Sequence, residues 1–363
     1  MAEPLKNYYN KKFIKNIAKA MKAIHSDFND RYFMQLIFDD AWDSRELKDR
    51  MRHVTISLGT ILPKDYETSI NILKSAAPLM HGVSDFGGFL NMFFPDFVEM
   101  YGQADWEPSI LALEFFTPYS SSEFAVRPFI KQDSKRMMKQ MKLWAKHDNY
   151  HVRRLASEGC RPRLPWAMAL PDFKQDPSAI LPILNILKND EQEYVRRSVA
   201  NNLNDIAKDN PDIVINIAQK WYGKNETTNR LVKHACRTLL KSGNKEALTI
   251  FGFTDTAGVN VKNLKTQEKD IKISESLAFS FDVIVKKVSK LRVEYAIDYM
   301  KANGTKSRKI FQIREGHYEK GIFRLSKQHS FREMSTRKHY AGKHYIAIIV
   351  NGLEMENISF NVK

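Results

Sequence analysis

The chain has 363 residues, of which 43% are hydrophobic and 11% aromatic, so it is long enough for two folded domains and too apolar to be disordered. Its formal net charge of +15 and pI of about 9.5 favour an anionic partner: nucleic acid, an acidic membrane surface or an acidic protein. Two cysteines without CxxC spacing, the lack of an HExxH motif and the lack of a run of about 18 apolar residues argue against a disulfide scaffold, a metal site and a membrane span. We therefore predict a cytoplasmic protein without a metal.

The pattern is helical up to about residue 250. Apolar residues near the start return at steps of three and four, the spacing of one helix face. Prolines punctuate the segments that follow and predict the breaks between helices. The apolar face comprises Phe13, Ile14, Ile17, Ala18, Met21 and Ile24, and the breaks fall at Pro63, Pro95, Pro108, Pro128, Pro171, Pro177 and Pro211. We predict a helical domain over residues 1–255.

A first notable carboxylate, Glu123, lies in the segment Ser-Ser-Glu-Phe-Ala-Val-Arg-Pro-Phe. Two interpretations are open. Glu123 can belong to a functional site, or Ser121 or Ser122 can cap a helix whose first turn holds Glu123, where the helix dipole favours a carboxylate.

Residues 151–166 are the most informative stretch. Four arginines surround one carboxylate, Glu158, and the stretch closes on Trp166. Arginines at that density usually meet phosphates, which would repel a carboxylate, so Glu158 calls for an explanation. One alternative is a simple helical ion pair with Arg154, four residues earlier, worth a few tenths of a kcal/mol.

Part of the helical region repeats. Val152, Val195 and Val232 lie about 40 residues apart, each followed by basic and small apolar residues, which is typical of HEAT-type helical pairs. The valines are predicted to face the core and the basic residues a concave surface. Arg153 and Arg154, Arg196 and Arg197, and Lys233 and Arg237 would then form a basic stripe that tracks a phosphate backbone. The alternative is that each such arginine pairs with an aspartate of the adjacent repeat.

A third carboxylate, Asp205, lies ten residues after Val195, whereas Glu158 lies six after Val152. The difference is about one helical turn, so the two carboxylates are predicted to project from the same faces of adjacent helices. Asp205 can equally cap a helix or bridge to a lysine.

Beyond about residue 258 the apolar residues alternate, which is typical of β-strands. Asn303-Gly304 and Asn351-Gly352 are turn signals between them. We predict strands at Ser276–Val285, Leu291–Met300, Lys309–Ile313, Tyr340–Val350 and Ile358–Val362, with Thr254–Asn263 as the linker. Short alternating strands over about 100 residues favour an immunoglobulin-like sandwich. The predicted fold is mainly α: a HEAT-like α-solenoid followed by a small all-β immunoglobulin-like sandwich domain over residues 262–363.

The segments around Glu123 and Glu158, with Val-Arg-Arg-Ser-Val-Ala-Asn-Asn-Leu-Asn-Asp before Ile206, together resemble the AlkC branch of the HEAT-like-repeat DNA glycosylases. The AlkD branch is more distant. The resemblance covers most of the helical region, and an appended β-sandwich also resembles one subgroup of AlkC proteins.

The resemblance implies an enzyme that hydrolyses the N-glycosidic bond of cationic alkylated bases, chiefly 3-methyladenine and 3-methylcytosine, and leaves an abasic site. It implies a monofunctional glycosylase that acts on DNA without a cofactor. A monomer is expected for a curved repeat that embraces a DNA duplex. The catalytic residues would be Glu123, Glu158 and Asp205, with Trp166 as an aromatic wall. The DNA-binding residues are expected to be Arg127, Arg153, Arg154, Arg161, Arg163, Arg196, Arg197, Lys233 and Arg237. The alternative is a non-enzymatic HEAT-repeat scaffold that binds DNA or an acidic protein.

Overall fold

A computed structural model describes residues 3–83, 87–254, 256–333 and 338–363. Within these residues the chain forms sixteen α-helices followed by eight β-strands, which confirms the predicted order of a helical repeat and an all-β domain. By its contacts the chain divides into two compact units, Met1–Asn210 and Pro211–Lys363. No helix of the described residues is both long and apolar enough to cross a bilayer.

Twelve of the α-helices lie in the first unit. Their bounds are α1 Lys11–Ile24, α2 Asp30–Ile37, α3 Leu47–Ile61, α4 Tyr66–Ala76, α5 Phe93–Tyr101, α6 Trp106–Phe116, α7 Val126–Gln132, α8 Ser134–Trp144, α9 Tyr150–Glu158, α10 Pro171–Gln175, α11 Leu181–Leu187 and α12 Glu193–Ile206. Short 3₁₀ helices occur at Leu5–Tyr8, Trp42–Ser44, Ala77–Met80 and Gly87–Met92.

The first helix forms where the apolar spacing predicts it. The side chain of Asn10 caps α1 by accepting a hydrogen bond of 3.0 Å from the backbone N–H of Phe13. The predicted apolar face is buried except at its end, where Ile24 is exposed. Burial of this face against α2 and α4 anchors α1 in the first unit.

Helices α9 and α12 place two copies of the predicted repeat side by side. Val152 and Val195 are buried, as the repeat pattern predicts. Polar contacts also join the two helices: the hydroxyls of Ser157 and Ser198 lie 2.7 Å apart, and Asn202 donates a 2.7 Å hydrogen bond to the Ser157 carbonyl. With α8 and α11 packed on α9, this region has the paired-helix arrangement of HEAT repeats.

The second unit contains the last four helices and all the strands. Their bounds are α13 Pro211–Trp221, α14 Glu226–Ala235, α15 Arg237–Lys241, α16 Lys245–Ile250, β1 Val259–Thr266, β2 Asp270–Ile271, β3 Ser276–Val285, β4 Ser289–Met300, β5 Lys306–Tyr318, β6 Gly321–Ser330, β7 Gly342–Val350 and β8 Leu353–Val362. One sheet has the strand order β1-β3-β6 and the other β2-β8-β7-β4-β5. Inward-facing residues of both sheets form one core, as expected for a sandwich.

The five predicted strands correspond to β3, β4, β5, β7 and β8, whereas β1, β2 and β6 were not predicted. The predicted linker Thr254–Asn263 is wrong at its end, because β1 already begins at Val259 and pairs with β3. Strand β6 was not predicted, because most of its residues are at least partly exposed and it has no continuous apolar run. The turn at Asn351-Gly352 is confirmed: both residues have positive φ, 46° and 80°, between paired strands β7 and β8.

The helices of the second unit contact its five-stranded sheet. Lys233 on α14 forms an ion pair with Glu315 on β5, and the backbone of Gly243 lies against Gly352 in the β7–β8 turn. These contacts explain why the last four helices share a compact unit with the strands. A domain boundary between residues 255 and 262, where helices give way to strands, stays a prediction.

Candidate active site

A pocket of about 520 Å³ opens in the first unit and brings together several of the predicted site residues. Two carboxylates, two arginines and a tryptophan line it among aromatic and small residues. The lining comprises Gly88, Phe89, Met92, Thr117, Pro118, Tyr119, Ser120, Ser121, Glu123, Phe124, His151, Arg154, Glu158, Arg161, Leu164, Pro165, Trp166 and Tyr194.

Glu158 is the last residue of α9, so its side chain lies where the helix gives way to the loop that carries Trp166. The side chain is buried. Its Oε1 accepts a 2.6 Å hydrogen bond from Arg161 and lies 3.4 Å from the guanidinium of Arg154. Its Oε2 is buried and has no hydrogen-bond partner among the described residues. One oxygen of this carboxylate is therefore held by arginine, and the other is buried without a hydrogen-bond partner from the described residues, which calls for an explanation.

Glu123 lies in the turn before α7, not within a helix. Ser121 donates a 2.7 Å hydrogen bond to its Oε2, and Arg154 donates to the same oxygen. The capping alternative is wrong: α7 begins at Val126 without a side-chain cap, and the Ser122 hydroxyl donates to the Leu113 carbonyl. Glu123 therefore does not belong to a capped first helical turn, and it lines the pocket.

Arg154 joins the two carboxylates of the pocket. Its guanidinium pairs with Glu123 and Glu158 and lies 4.7 Å from the ring centroid of Tyr194. Burial acts to lower the pKa of Arg154, but the two carboxylates more than offset it, so that the pKa is raised. The helical ion pair between Arg154 and Glu158, which the sequence offered as an alternative, does form, but it is one contact of a larger network. The charge of Arg154 is therefore compensated by the two carboxylates of the pocket, and its predicted contact with DNA stays a prediction.

Arg161 links Glu158 to the third predicted carboxylate. Its Nε lies 2.9 Å and its Nη2 2.8 Å from Oδ2 of Asp205, while Nη1 bonds Glu158. Lys208 donates a 3.1 Å hydrogen bond to the other oxygen of Asp205, as the lysine-bridge alternative proposed. Asp205 is only 2% exposed and does not line the pocket. The structure therefore connects Asp205 to the pocket through Arg161.

Trp166 forms an open wall of the pocket and is 59% exposed. Its φ of 64° is in the left-handed region, which a bulky residue rarely adopts. Lys48 donates a 2.9 Å hydrogen bond to its carbonyl, and the ring of Phe89 lies 6.4 Å away, centroid to centroid. Such strained conformations persist only where surrounding contacts hold them, and they concentrate at functional sites.

Arg127 is a correction to the predicted DNA contacts. The side chain is completely buried and donates hydrogen bonds of 2.8–2.9 Å to the carbonyls of Met168, Gly159 and Arg161. Burial lowers its pKa to about 10, which leaves it charged at neutral pH. A residue enclosed in this way cannot reach a phosphate, so Arg127 instead holds the loop after α9 in place.

Four further arginines of the first unit were predicted to bind DNA, and they differ in how far carboxylates of the protein neutralise their charge. Arg153 pairs with Asp190 at 2.6 Å, as the HEAT alternative proposed, and Arg163 pairs with Asp209 at 2.6 Å. Arg196 donates to two backbone carbonyls, at 2.5 and 2.8 Å. Arg197 is exposed and has no ion pair within the described chain. Among these four, Arg197 has the charge most accessible to a phosphate.

Lys233 and Arg237 lie in the second unit. Lys233 pairs with Glu315, and Arg237 donates a 2.9 Å hydrogen bond to the His234 carbonyl. That they extend a basic stripe from the first unit stays a prediction.

Several pocket residues escaped prediction. Tyr194 and His151 lie beside the repeat motifs, so the sequence held a signal in the aromatic and imidazole rings that precede Val195 and Val152. Phe89 comes from a remote part of the chain, as does Lys48, which binds the Trp166 carbonyl without lining the pocket, and neither carries a local signal. Burial and the charge of Arg154 lower the pKa of His151 below its usual range.

The arrangement suits the stabilisation of a positive charge. A carboxylate oxygen without a hydrogen bond lies in a pocket with an exposed indole, and both attract cations. In the part of the chain that the structure describes, no group of three or more His, Cys, Asp or Glu side chains is placed to hold a metal ion.

Comparisons with known proteins identify the class. Residues 120–246 match a family described as "DNA alkylation repair enzyme", and residues 260–363 match one described as "Uncharacterised protein YhaZ, C-terminal Ig-like domain". The fold and the pocket thus define a helical-repeat protein of DNA alkylation repair with an immunoglobulin-like domain.

Full-length relatives specify the family. The chain is 45% identical over 359 residues to YhaZ of Bacillus subtilis (strain 168), with 99% of both chains covered. It is similar to Pseudomonas fluorescens alkylpurine DNA glycosylase AlkC, solved bound to DNA containing an abasic-site analogue, with 36% identity, a TM-score of 0.94, and coverage of 99% of this chain and 100% of that one. The chain belongs to the AlkC family, as the sequence resemblance indicated.

Proposed function

We propose that the protein is a monofunctional DNA glycosylase that releases cationic alkylated bases, 3-methyladenine and 3-methylcytosine, from double-stranded DNA as a monomer. It hydrolyses the N-glycosidic bond and leaves an abasic site. The observation that carries the proposal is the buried Oε2 of Glu158, which has no hydrogen-bond partner among the described residues and shares an open pocket with Trp166. The solved AlkC relative on abasic-site DNA supports the same substrate class.

The chemistry requires little acid catalysis. Alkylation places a positive charge on the base, so the leaving group is already activated. As the bond to the sugar lengthens, positive charge grows on the deoxyribose, and a nearby carboxylate stabilises that cation and orients the attacking water. The indole of Trp166 adds cation–π attraction to the charged base, on the order of 1–2 kcal/mol when water is excluded.

The three carboxylates take different roles in this proposal. Glu158 faces the sugar cation and the water, because one of its oxygens has no protein partner. Glu123 faces the same pocket with its Oε2 held by Ser121 and Arg154. Asp205 acts as a positioning residue: it fixes Arg161, which in turn fixes Glu158.

Base release from N-methylated DNA tests the proposal. The protein is incubated with methylated duplex and the liberated bases are separated by chromatography. We expect release of 3-methyladenine and 3-methylcytosine, and a loss of about 100-fold or more in rate for Glu158→Gln, the scale seen when one electrostatic contact to a transition state is removed. Glu226→Gln, at an exposed pair with Arg230, is the matched control and should excise normally.

The non-enzymatic scaffold makes the opposite prediction. Such a protein would bind duplex with the same dependence on salt but release no base, and Glu158→Gln would change nothing measurable. Retention of DNA binding by Glu158→Gln with loss of base release supports the glycosylase. An absence of release by the unmodified protein, with DNA binding intact, favours the scaffold.

A further inference from the structure

We propose that the groove between α1 and α2 is a second binding site for the phosphate backbone of duplex DNA, separate from the candidate active site. The groove has a volume of about 900 Å³ and shares no lining residue with the pocket that holds Glu158. Five cationic side chains and one carboxylate line it among small and polar residues. The lining comprises Lys11, Lys15, Ala18, Lys19, Lys22, Ala23, Asp30, Arg31, Met34 and Gln35.

The lysines of α1 form a regular row. Lys11, Lys15 and Lys19 are spaced by four residues, so they lie on one helix face with a rise of about 6 Å between neighbours. Like charges at this spacing destabilise a helix. A row of this kind is therefore unfavourable for α1 itself and is compensated when an anion with charges in a row lies along it.

The protein does not neutralise this row. Residues 11–24 contain no Asp or Glu, and Lys11, Lys15 and Lys19 are exposed and form no ion pair within the described ranges. Lys22 differs, because it donates to the carbonyls of Ser26 and Phe28. The arginines around the candidate active site differ too, since carboxylates already pair with Arg153, Arg154, Arg161 and Arg163. The lysines of α1 thus retain their full charge for an external anion.

The apolar face of α1 distinguishes between a membrane and a nucleic acid as the partner of the lysine row. Basic amphipathic helices can lie on membranes by inserting their apolar side. In α1 that side is already buried, with Phe13, Ile17 and Met21 in the core. The helix can therefore offer only charge, which is how proteins engage a phosphate backbone without reading sequence. The assignment to duplex DNA rests on the proposed function, which makes that duplex the substrate.

The salt dependence of binding measures this contact. We compare the full-length protein with a Lys11→Gln, Lys15→Gln, Lys19→Gln variant by fluorescence anisotropy on an undamaged duplex across NaCl concentrations. Each phosphate contact contributes about 0.9 to the slope of log K against log salt, so loss of three contacts should reduce the slope by about 2.7. Gln favours helix almost as well as Lys, and the exposed sites need no repacking, so the variant should fold.

Two further variants isolate charge at this groove. Lys135→Gln, Lys139→Gln, Lys142→Gln removes three exposed lysines with similar spacing from α8, which do not line the groove, and should leave the slope within about 0.5 of the original. Lys11→Arg, Lys15→Arg, Lys19→Arg keeps the charge and should restore the slope. An unchanged slope in the α1 variant, or an equal fall in the α8 variant, would overturn the proposal. So would tighter binding to phosphatidylserine vesicles than to duplex.

Failure of the groove proposal and failure of the glycosylase proposal give different experimental results. Base release is measured on the unmodified protein, with enzyme in excess over methylated duplex, and the salt slope is measured separately on undamaged duplex. If the unmodified protein releases no base but the α1 slope still falls, the glycosylase proposal fails and the groove remains a DNA site. If base is released and the α1 slope does not change, the groove proposal alone fails.

Discussion

The ammonium of Lys48 donates a 2.9 Å hydrogen bond to the carbonyl of Trp166, 118 positions further along the chain. Lys48 also lies 4.9 Å from the ring centroid of Phe124, another residue of the pocket. A lysine of α3 therefore helps to hold the left-handed backbone at Trp166 and, with it, the position of the indole.

Removal of the Lys48 ammonium should make the position of the Trp166 indole less well fixed. We expect Lys48→Met to slow single-turnover base release by about tenfold or less, because a single hydrogen bond is worth about 1 kcal/mol. Lys74→Met is the matched control, since Lys74 lies 5.3 Å from the ring centroid of Phe115, which does not line the pocket. Equal rates for the two variants would mean that Lys48 does not position Trp166.

Substitution of Trp166 itself can separate its backbone conformation from its ring. We expect Trp166→Gly to be more stable than Trp166→Ala by about 1 kcal/mol, because glycine adopts positive φ without steric strain. Both variants lack the indole and should slow base release to the same extent. Urea denaturation measures the first effect and single-turnover excision the second.

The ring of Trp166 should matter more for the reaction than for affinity. In the proposed function it attracts a charged base, and undamaged DNA has none. We therefore expect Trp166→Ala to slow excision more than it weakens binding to undamaged duplex. Equal losses in both measurements would contradict the assigned role.

Two neighbouring repeats offer a paired test of phosphate contact. Arg197 is exposed without an ion pair, so Arg197→Ala should reduce the salt slope of duplex binding by about one unit. Arg153 is bound to Asp190, whose side chain is only 4% exposed. We expect Arg153→Ala to leave the slope unchanged and to lower the free energy of unfolding by about 3 kcal/mol, because the buried carboxylate loses its cationic partner and keeps the 2.9 Å hydrogen bond from the backbone N–H of Gln192. A reduced slope for Arg153→Ala with an unchanged slope for Arg197→Ala would mean that the Arg153–Asp190 ion pair breaks when the protein binds DNA.

The sequence predicts well whatever depends on local periodicity. The buried valines of the repeat, strand β3 and the Asn351-Gly352 turn all follow from spacing or turn chemistry. Strand β6 does not, because it is largely exposed and lacks the apolar alternation that identifies a half-buried strand.

The candidate site is predictable only where its residues share a motif. Glu158 and Trp166 belong to one continuous segment, and the structure places both in one pocket. Sequence spacing cannot distinguish arginines by their partners, so the buried Arg127 and the exposed Arg197 were predicted to have the same role. Lys48 reaches Trp166 through tertiary packing alone, and no local signal identifies it.

A buried carboxyl near the site should make stability depend on pH. Asp96 on α5 is 4% exposed, and burial raises its pKa to about 6, although the charge of Arg52, 2.9 Å away, acts to lower it. The native carboxyl then binds its proton more tightly than the unfolded one, whose pKa is about 3.9. The free energy of unfolding should therefore fall as the pH rises from about 4 to about 6, and the loss should persist above that range.

Asp96→Asn should remove this loss. Because the pKa of Asp96 is about 6 in the native protein and about 3.9 in the unfolded chain, the variant should be more stable than the original protein at pH 7.5 by up to about 3 kcal/mol, with little difference near pH 4.5. Arg52 keeps Glu99 as a partner at 2.8 Å, so its charge is not left alone. Asp65→Asn gives the opposite sign: hydrogen bonds from Thr68 lower the pKa of Asp65, so its contribution is present at pH 7.5 and is lost as the pH falls. Urea denaturation of the three proteins at the two pH values decides the matter, and a stability gain in Asp96→Asn confined to pH 4.5 would contradict the assignment.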